Sequence, residues 1–266
     1  MSNATEEKFD IDLIEQIAVK AALAAGAIMN NRLETKFNIE HKGIIDLVTE
    51  VDIECEKTII EIIKDTFPEH AILAEESGLS VDSQSRWIID PLDGTTNYIH
   101  KFPFYATSIA FEYNGQIKVG VVYDPTRSEL FTAKQNCGAK LNGEKIRVSK
   151  TDSLINSLLA TGFPYNIKDA ENNNLAQFER LAKSTQAIRR PGAASLDLCY
   201  VAAGRLDGFW EFYLQPWDIA AGSLIIEEAS GTLSLLDGGK LDIYKKNIVA
   251  SNSIIHSELL EKLESS

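Results

Sequence analysis

Two aspartates three residues apart, Asp90 and Asp93, close an apolar run in Trp87-Ile88-Ile89-Asp90-Pro91-Leu92-Asp93-Gly94-Thr95-Thr96-Asn97. Pro91 has no N–H to donate and biases Asp90 away from the helical region, which predicts a strand that ends at Asp90 and presents both carboxylates at its C-terminal tip. Like charges held so close raise a pKa or push the loop apart unless a divalent cation is shared between them. Gly94 permits close backbone approach, and Thr95-Thr96-Asn97 reads as a helix start whose N–H groups suit a phosphate. The chemistry indicated is a metal beside a phosphate. An isolated Asp-Gly pair is more often an ordinary turn before a capping threonine. Three further acidic segments in apolar surroundings tip the balance here.

Ile72-Leu73-Ala74-Glu75-Glu76-Ser77 is a short apolar strand ending in paired glutamates, which alone would read as a strand entering a charged loop. In Asp46-Leu47-Val48-Thr49-Glu50-Val51-Asp52, Thr49 serves equally well as an N-cap and Asp52 as a first-turn partner of the helix dipole. Asp218, in Pro216-Trp217-Asp218-Ile219-Ala220-Ala221-Gly222, opens a small apolar helix. A capping role is open to it, but a buried carboxylate also seeks a partner or a metal.

The elements that must position these acids follow from periodicity. Apolar residues recur at helical spacing from Ile11 to about Phe37 and from Val51 to Phe67. Strand-like runs follow at 71–74, 87–89, 106–113, 117–123 and 129–133, a β-meander punctuated by Asn114-Gly115 and Asp124-Pro125. Beyond Ser149 strands and helices alternate: strand 157–161, helix 172–182, strand 187–189, helix 193–203, strand 207–212, helix 217–229, strands near Thr232 and Ile248, and a last helix. A domain boundary is expected there, with residues 1–149 forming an α+β domain that carries most of the acids and 150–266 an α/β domain that supplies Asp218 and the substrate pocket.

The chain has 266 residues, 44% of them hydrophobic and 24% charged, with 26 Lys and Arg against 39 Asp and Glu, a net charge of −13. That balance opposes direct nucleic-acid binding or a hold on anionic lipid, and an acidic protein that takes a phosphate ester needs cations or N–H groups at the site. No apolar run is long enough to span a bilayer and no secretory leader is visible, so a cytoplasmic protein is expected. Cys55, Cys137 and Cys199 are scattered and expected to be buried and unpaired. The four histidines share no ligand spacing and receive no role.

Taken in order, these segments resemble the signature of the inositol monophosphatase family, within the lithium-sensitive phosphatase group that includes fructose bisphosphatases. The likeness covers nearly the whole chain and also takes in Glu75-Glu76-Ser77-Gly78, Val121-Val122-Tyr123-Asp124-Pro125, Gly138-Ala139-Lys140-Leu141-Asn142-Gly143 and Ala202-Ala203-Gly204-Arg205-Leu206-Asp207-Gly208. The resemblance implies an α/β fold built as a layered α/β/α/β/α sandwich, a homodimer, and a phosphomonoesterase that uses two to three Mg2+ ions and a metal-activated water on inositol monophosphate or a related polyol or sugar phosphate. Position by position, Glu75, Asp90, the Leu92 carbonyl, Asp93 and Asp218 match the metal ligands. Asp52 and Thr95 match the pair that orients and deprotonates the water, with Glu75 counted among the catalytic groups. Gly94, Thr95 and Thr96 match the phosphate cradle, beside Asp93 and Asp218. Glu211 and Gly192-Ala193-Ala194 match the pocket for the leaving alcohol. Lys42, Glu76 and Arg190 are additional candidates, Lys42 reading almost equally well as a surface lysine.

The chain departs from the family where Ala193 and Ser195 replace the usual Ser/Thr and Ala, and where Tyr213 stands at a position that is glycine in several members. These departures leave substrate identity open among inositol phosphate, fructose 1,6-bisphosphate, histidinol phosphate and a nucleotide phosphate. A different class of role, protein binding in transcription or RNA processing as in some bacterial members, also stays open.

Overall fold

The structure, a computed structural model, describes residues 9–35, 39–41, 47–80 and 83–264. Helix α1 (Ile11–Arg32) starts where Asp10 Oδ1 accepts the N–H groups of Asp12 and Leu13. It ends at Arg32, short of the expected Phe37, because the Arg32 carbonyl accepts both the N–H and the hydroxyl of Thr35 and the chain turns. Phe37 itself lies outside the described residues.

Strands β1 (Ile39–His41) and β2 (Leu47–Thr49) pair antiparallel, and α2 (Glu50–Thr66) follows directly. Then come β3 (Ala71–Ala74), β4 (Gly78–Leu79), β5 (Ser85–Asp93), the short α3 (Thr95–Ile99), β6 (Ala106–Tyr113), β7 (Gln116–Asp124), β8 (Glu129–Lys134), β9 (Ala139–Leu141) and β10 (Glu144–Lys145). These form one sheet in the order β10-β9-β8-β7-β6-β5-β3-β4, antiparallel except where β3 runs parallel to β5. The C-terminal part comprises β11 (Leu158–Thr161), α4 (Leu175–Ala182), β12 (Ala187–Arg189), α5 (Ala194–Ala202), β13 (Gly208–Phe212), α6 (Pro216–Glu228), β14 (Thr232–Ser234), β15 (Asn247–Ser251) and α7 (His256–Glu264). Its five strands lie in the order β12-β11-β13-β15-β14.

Helices α1 and α2 cover one face of the eight-stranded sheet, α5 and α6 fill the space between the two sheets, and α4 with α7 covers the outer face of the smaller sheet. This is the expected α/β/α/β/α layering. The larger sheet is covered on both faces, so its central strands are buried along their length and alternate residues serve different layers. Trp87, Ile89, Ile109, Phe111, Val119 and Val121 pack towards α1 and α2, whereas Ile88, Ala110, Val122 and Phe131 pack towards α5 and α6. The small residues of α6 let it lie very near the sheet: a Cβ on Gly120 of β7 would stand 2.6 Å from the Ala221 carbonyl oxygen.

Three expectations need correction. Strand β5 does not end at Asp90 but continues through Pro91 to Asp93. Asp90 pairs with Ser108 and Asp93 with Ala106, so the register shifts across a bulge where the proline's missing N–H breaks no ladder bond. Helix α4 begins at Leu175, three residues late, because Asn174 is left-handed, with φ 68°, and its amide is engaged by Thr161 and Gly162. Cys137 is exposed, since it occupies the turn between β8 and β9, while Cys55 and Cys199 are buried as expected. No helix among the described residues is long and apolar enough to cross a membrane.

Candidate active site

Five chain segments empty their ends into one cavity of about 620 Å3. Glu75 comes from just past β3, and Asp90, Leu92 and Asp93 from the bulged end of β5. Gly94, held at φ 94°, and Thr95 turn the chain into α3. Gly192, Ala193 and Ala194 lead into α5, Glu211 lies near the end of β13, and Asp218 sits in the first turn of α6. Arg190 supplies a cationic side chain to the lining.

The acids are held by the backbone through one oxygen each. Asp90 Oδ1 accepts the Leu92 N–H at 3.0 Å, and Asp218 Oδ2 accepts the Gln215 N–H at 2.7 Å, closing a capping box at the start of α6. Asp93 Oδ2 accepts both the N–H and the hydroxyl of Ser195, at 2.8 and 2.6 Å. Each carboxylate is thereby fixed in place at the cavity wall. Asp218 is therefore both a cap and a cavity acid, and the two roles do not compete.

Asp52 resolves in the same way. It belongs to the capping box of α2, its Oδ2 accepting the N–H and hydroxyl of Thr49. Its Oδ1 accepts the Thr95 hydroxyl at 2.9 Å. Asp52 is buried and reaches the cavity only through Thr95, whose Oγ1 also stands 3.1 Å from the Leu92 carbonyl.

Electrostatics at the cavity favour a cation. Burial pushes Asp90 well above the ordinary carboxylate range, and Glu75, Asp93, Asp218 and Asp52 push it further in that order. Burial also raises Asp218, against the pull of the Gln215 N–H, and raises Asp52 against its bonds to Thr49 and Thr95. Asp93 is pushed up to about 6 by burial, with Ser195 holding it back, and Glu211 to about 8 by burial, moderated by Arg190. A divalent ion would relieve this repulsion at once, and the donors are all hard oxygens, the set that suits magnesium. Among the described residues no three His, Cys, Asp or Glu side chains stand in the tight group of a closed coordination shell; the four acids ring the cavity.

The inositol monophosphatase family model matches residues 10–266. The chain belongs to the inositol monophosphatase family. It is 47% identical over 257 residues to a Synechocystis protein named inositol-1-monophosphatase, covering 96% of this chain and 90% of that one. It is 45% identical over 256 residues to the Nus factor SuhB of Pseudomonas aeruginosa, covering 93% and 94%. The solved inositol monophosphatase of Anabaena is similar with a TM-score of 0.88 at 42% identity, covering 96% of each chain. As a member of the inositol monophosphatase family, the chain is a phosphatase of phosphate monoesters, and the family's enzymes are metal-dependent.

Thr96, exposed, and Glu76 are not in the cavity lining, and Lys42 lies outside the described residues. The roles of four contributors to this inositol monophosphatase site escaped the sequence reading, which noted Ser195 only as a departure bearing on substrate identity. Glu56, buried on α2, accepts the N–H groups of Glu76 and Ser77 at 2.8 and 2.9 Å and so holds the turn that carries Glu75. Asn97 donates to the Phe104 and Pro191 carbonyls at 2.7 and 2.9 Å, tying α3 to the turn before α5. Ser195 fixes Asp93. The segment Phe163 to Asn166 forms a cavity wall beyond the end of β11. Only the last had a usable signal: ligand sites of open α/β sheets gather outside the carboxyl ends of strands, and Gly162-Phe163-Pro164 follows such an end.

Proposed function

We propose that this protein hydrolyses inositol monophosphate or a closely related polyol or sugar phosphate with magnesium. The observation that supports this most is the convergence of Glu75, Asp90, Asp93 and Asp218, from separate elements, on a cavity that also receives the Asp52-backed Thr95 hydroxyl. Glu75, Asp90, Asp93, Asp218 and the Leu92 carbonyl would hold two to three ions. When bound, these ions supply Lewis-acid polarisation of the phosphoryl group, an acidified water and stabilisation of the leaving oxygen.

Thr95 gives its proton direction towards Asp52 Oδ1, so its oxygen lone pair is presented to the attacking water. As the water oxygen bonds to phosphorus, its proton passes to Thr95 while the Thr95 proton passes to Asp52. The phosphorus bond to the alcohol oxygen breaks on the opposite side, and the departing alkoxide takes a proton from solvent water to leave as the alcohol. Burial raises Asp52 and makes it the stronger base. Gly94 and Thr95, which line the cavity, would cradle the phosphate. Glu211 accepts the hydroxyls of the alcohol, with Arg190 and the 192–194 backbone beside it. The division of labour between residues 1–149 and 150–266, the homodimer and the cytoplasmic location belong to the same proposal.

Phosphate release from a panel of esters, with magnesium and with or without chelator, tests it on wild type and Asp93→Asn. Turnover that survives the chelator overturns the reading. The Pseudomonas relative named Nus factor SuhB favours a second role in transcription. Complementation by Asp93→Asn separates the two: full rescue by the variant supports a role independent of catalysis, and no rescue removes it.

A further inference from the structure

Two Asn-Gly pairs occur in the chain, and each closes a two-residue hairpin loop. Asn114-Gly115 joins β6 to β7, with Tyr113 paired to Gln116, and Asn142-Gly143 joins β9 to β10, with Leu141 paired to Glu144. The backbones match: Asn114 and Gly115 have φ 51° and 74°, and Asn142 and Gly143 have φ 48° and 86°. All four residues are exposed, and a Cβ on either glycine would meet nothing within 4 Å. Turn geometry and access therefore treat the two asparagines alike.

Their side chains are held differently. Asn142 Oδ1 accepts the Leu130 N–H at 2.8 Å and its Nδ2 donates to the Ser128 carbonyl at 3.1 Å, so both ends of the amide are tied to the start of β8. The Asn114 amide meets no hydrogen-bond partner among the described residues; its backbone N–H alone is engaged, by the Gln84 carbonyl at 3.0 Å. Asn114 and Gly115 also rim a shallow cavity with Arg86, Glu112 and Tyr244, which gives the side chain room to turn and water a path to it. A glycine nitrogen has no Cβ beside it to block its approach to the asparagine carbonyl carbon. Exposed asparagine with a free amide is for this reason among the chemically labile residues of proteins.

We propose that Asn114 is a modification site of this protein, converted without an enzyme to aspartate and isoaspartate, while Asn142 is protected by its two side-chain bonds. The Gly115 nitrogen gives up its proton to solvent base and bonds to Asn114 Cγ. The Cγ–Nδ2 bond breaks, and the nitrogen takes up a proton from solvent and leaves as ammonia. Water then opens the cyclic imide at either carbonyl, so the product is aspartate or, where the chain runs on through Cγ, isoaspartate. The balance is one water consumed and one ammonia released, with one more negative charge on a chain already at −13. Freeing the Asn142 amide for the same step means breaking two hydrogen bonds of ordinary net strength, a factor of about thirty in population.

The test keeps the full chain in warm, mildly alkaline buffer, with and without urea, and reads tryptic digests of timed samples by mass spectrometry. Cleavage after Lys101 and Lys118 isolates Asn114 in residues 102–118, and cleavage after Lys140 and Lys145 isolates Asn142 in residues 141–145. Exchange of the amide NH2 for OH raises the peptide mass, and fragmentation assigns the change to Asn114 and not to Gln116. Elution beside synthetic peptides identifies the isoaspartyl form. In the folded chain Asn114 should convert about thirtyfold faster than Asn142, and in urea the two rates should converge. Equal rates in the folded chain overturn the proposal, as does an Asn114 that stays intact when folded but converts in urea. A rate ratio that persists in urea also overturns it, because the cause would then lie in the flanking residues and not in the amide bonds.

Discussion

Ser195 grips one oxygen of Asp93 from two directions, its N–H at 2.8 Å and its hydroxyl at 2.6 Å. An alanine at this position could supply only the first. A hydrogen bond to a charged acceptor is worth about 1.5–3 kcal/mol, so the second helps to fix the carboxylate plane and with it the hold of Asp93 on an ion. Ser195→Ala should therefore raise the magnesium concentration for half-maximal activity about tenfold, with Ser195→Thr restoring part of the loss. A magnesium titration of both variants checks this.

Asp90 is pushed up by burial first and then by four other carboxylates. Asp90→Asn should abolish turnover, by roughly a thousandfold or more. In chelator the same change should raise the melting temperature by a few degrees, at about 2–4 °C per kcal/mol of relieved repulsion for a chain of this size. Calorimetry with and without magnesium reads it: the gain should appear only in chelator.

Thr95→Ala removes the group that links Asp52 to the cavity and leaves the Thr49–Asp52 capping box of α2 in place. Turnover should fall about 10²–10⁴-fold, the usual contribution of a positioned base, with the melting temperature nearly unchanged. Asp52→Asn, by contrast, should lower both, since it disturbs the cap as well. Kinetics and thermal melts on the pair distinguish them.

Stability in chelator should fall as pH rises. Asp93 and Glu211 have folded values of about 6 and about 8, above the roughly 4 of an unfolded carboxyl, so the folded chain binds more protons in that window. Their stabilising contribution is complete below about pH 4 and lost as pH passes through the folded values. Between pH 6.5 and 8.5 Glu211 contributes to that loss, while burial lowers His70 and His256 below the usual imidazole value. The urea midpoint should drop over that interval, and Glu211→Gln should flatten the drop.

Much of the site could be read from the chain because its acids sit in short local signatures. Asp90, Asp93 and Asp218 each follow or open an element whose periodicity is plain, and the cavity gathers them with Glu75. What escaped was long-range. Ser195 meets Asp93 across 102 residues, Glu56 meets Ser77 across 21, and Asn97 meets Pro191 across 94, and no local pattern encodes such partners. Pro91 misled for a related reason: a proline stops a strand unless a bulge absorbs it, and the bulge depends on Ser108 and Ala106 in the neighbouring strand. The end of α1 at Arg32 turned on one threonine, Thr35, bonding back to it.

Gly120 lies on β7, remote in sequence from the acids of the cavity and not in the cavity lining, yet its bare α-carbon lets α6 seat against the larger sheet. Asp218 rides on the first turn of that helix and Asp90 on the sheet. The gap between opposing ligands is thus gauged by a missing methyl group. A single carbon added at Gly120 would act as a shim, tilting the helix outward and opening the jaws of the site without altering one residue that touches ion or substrate.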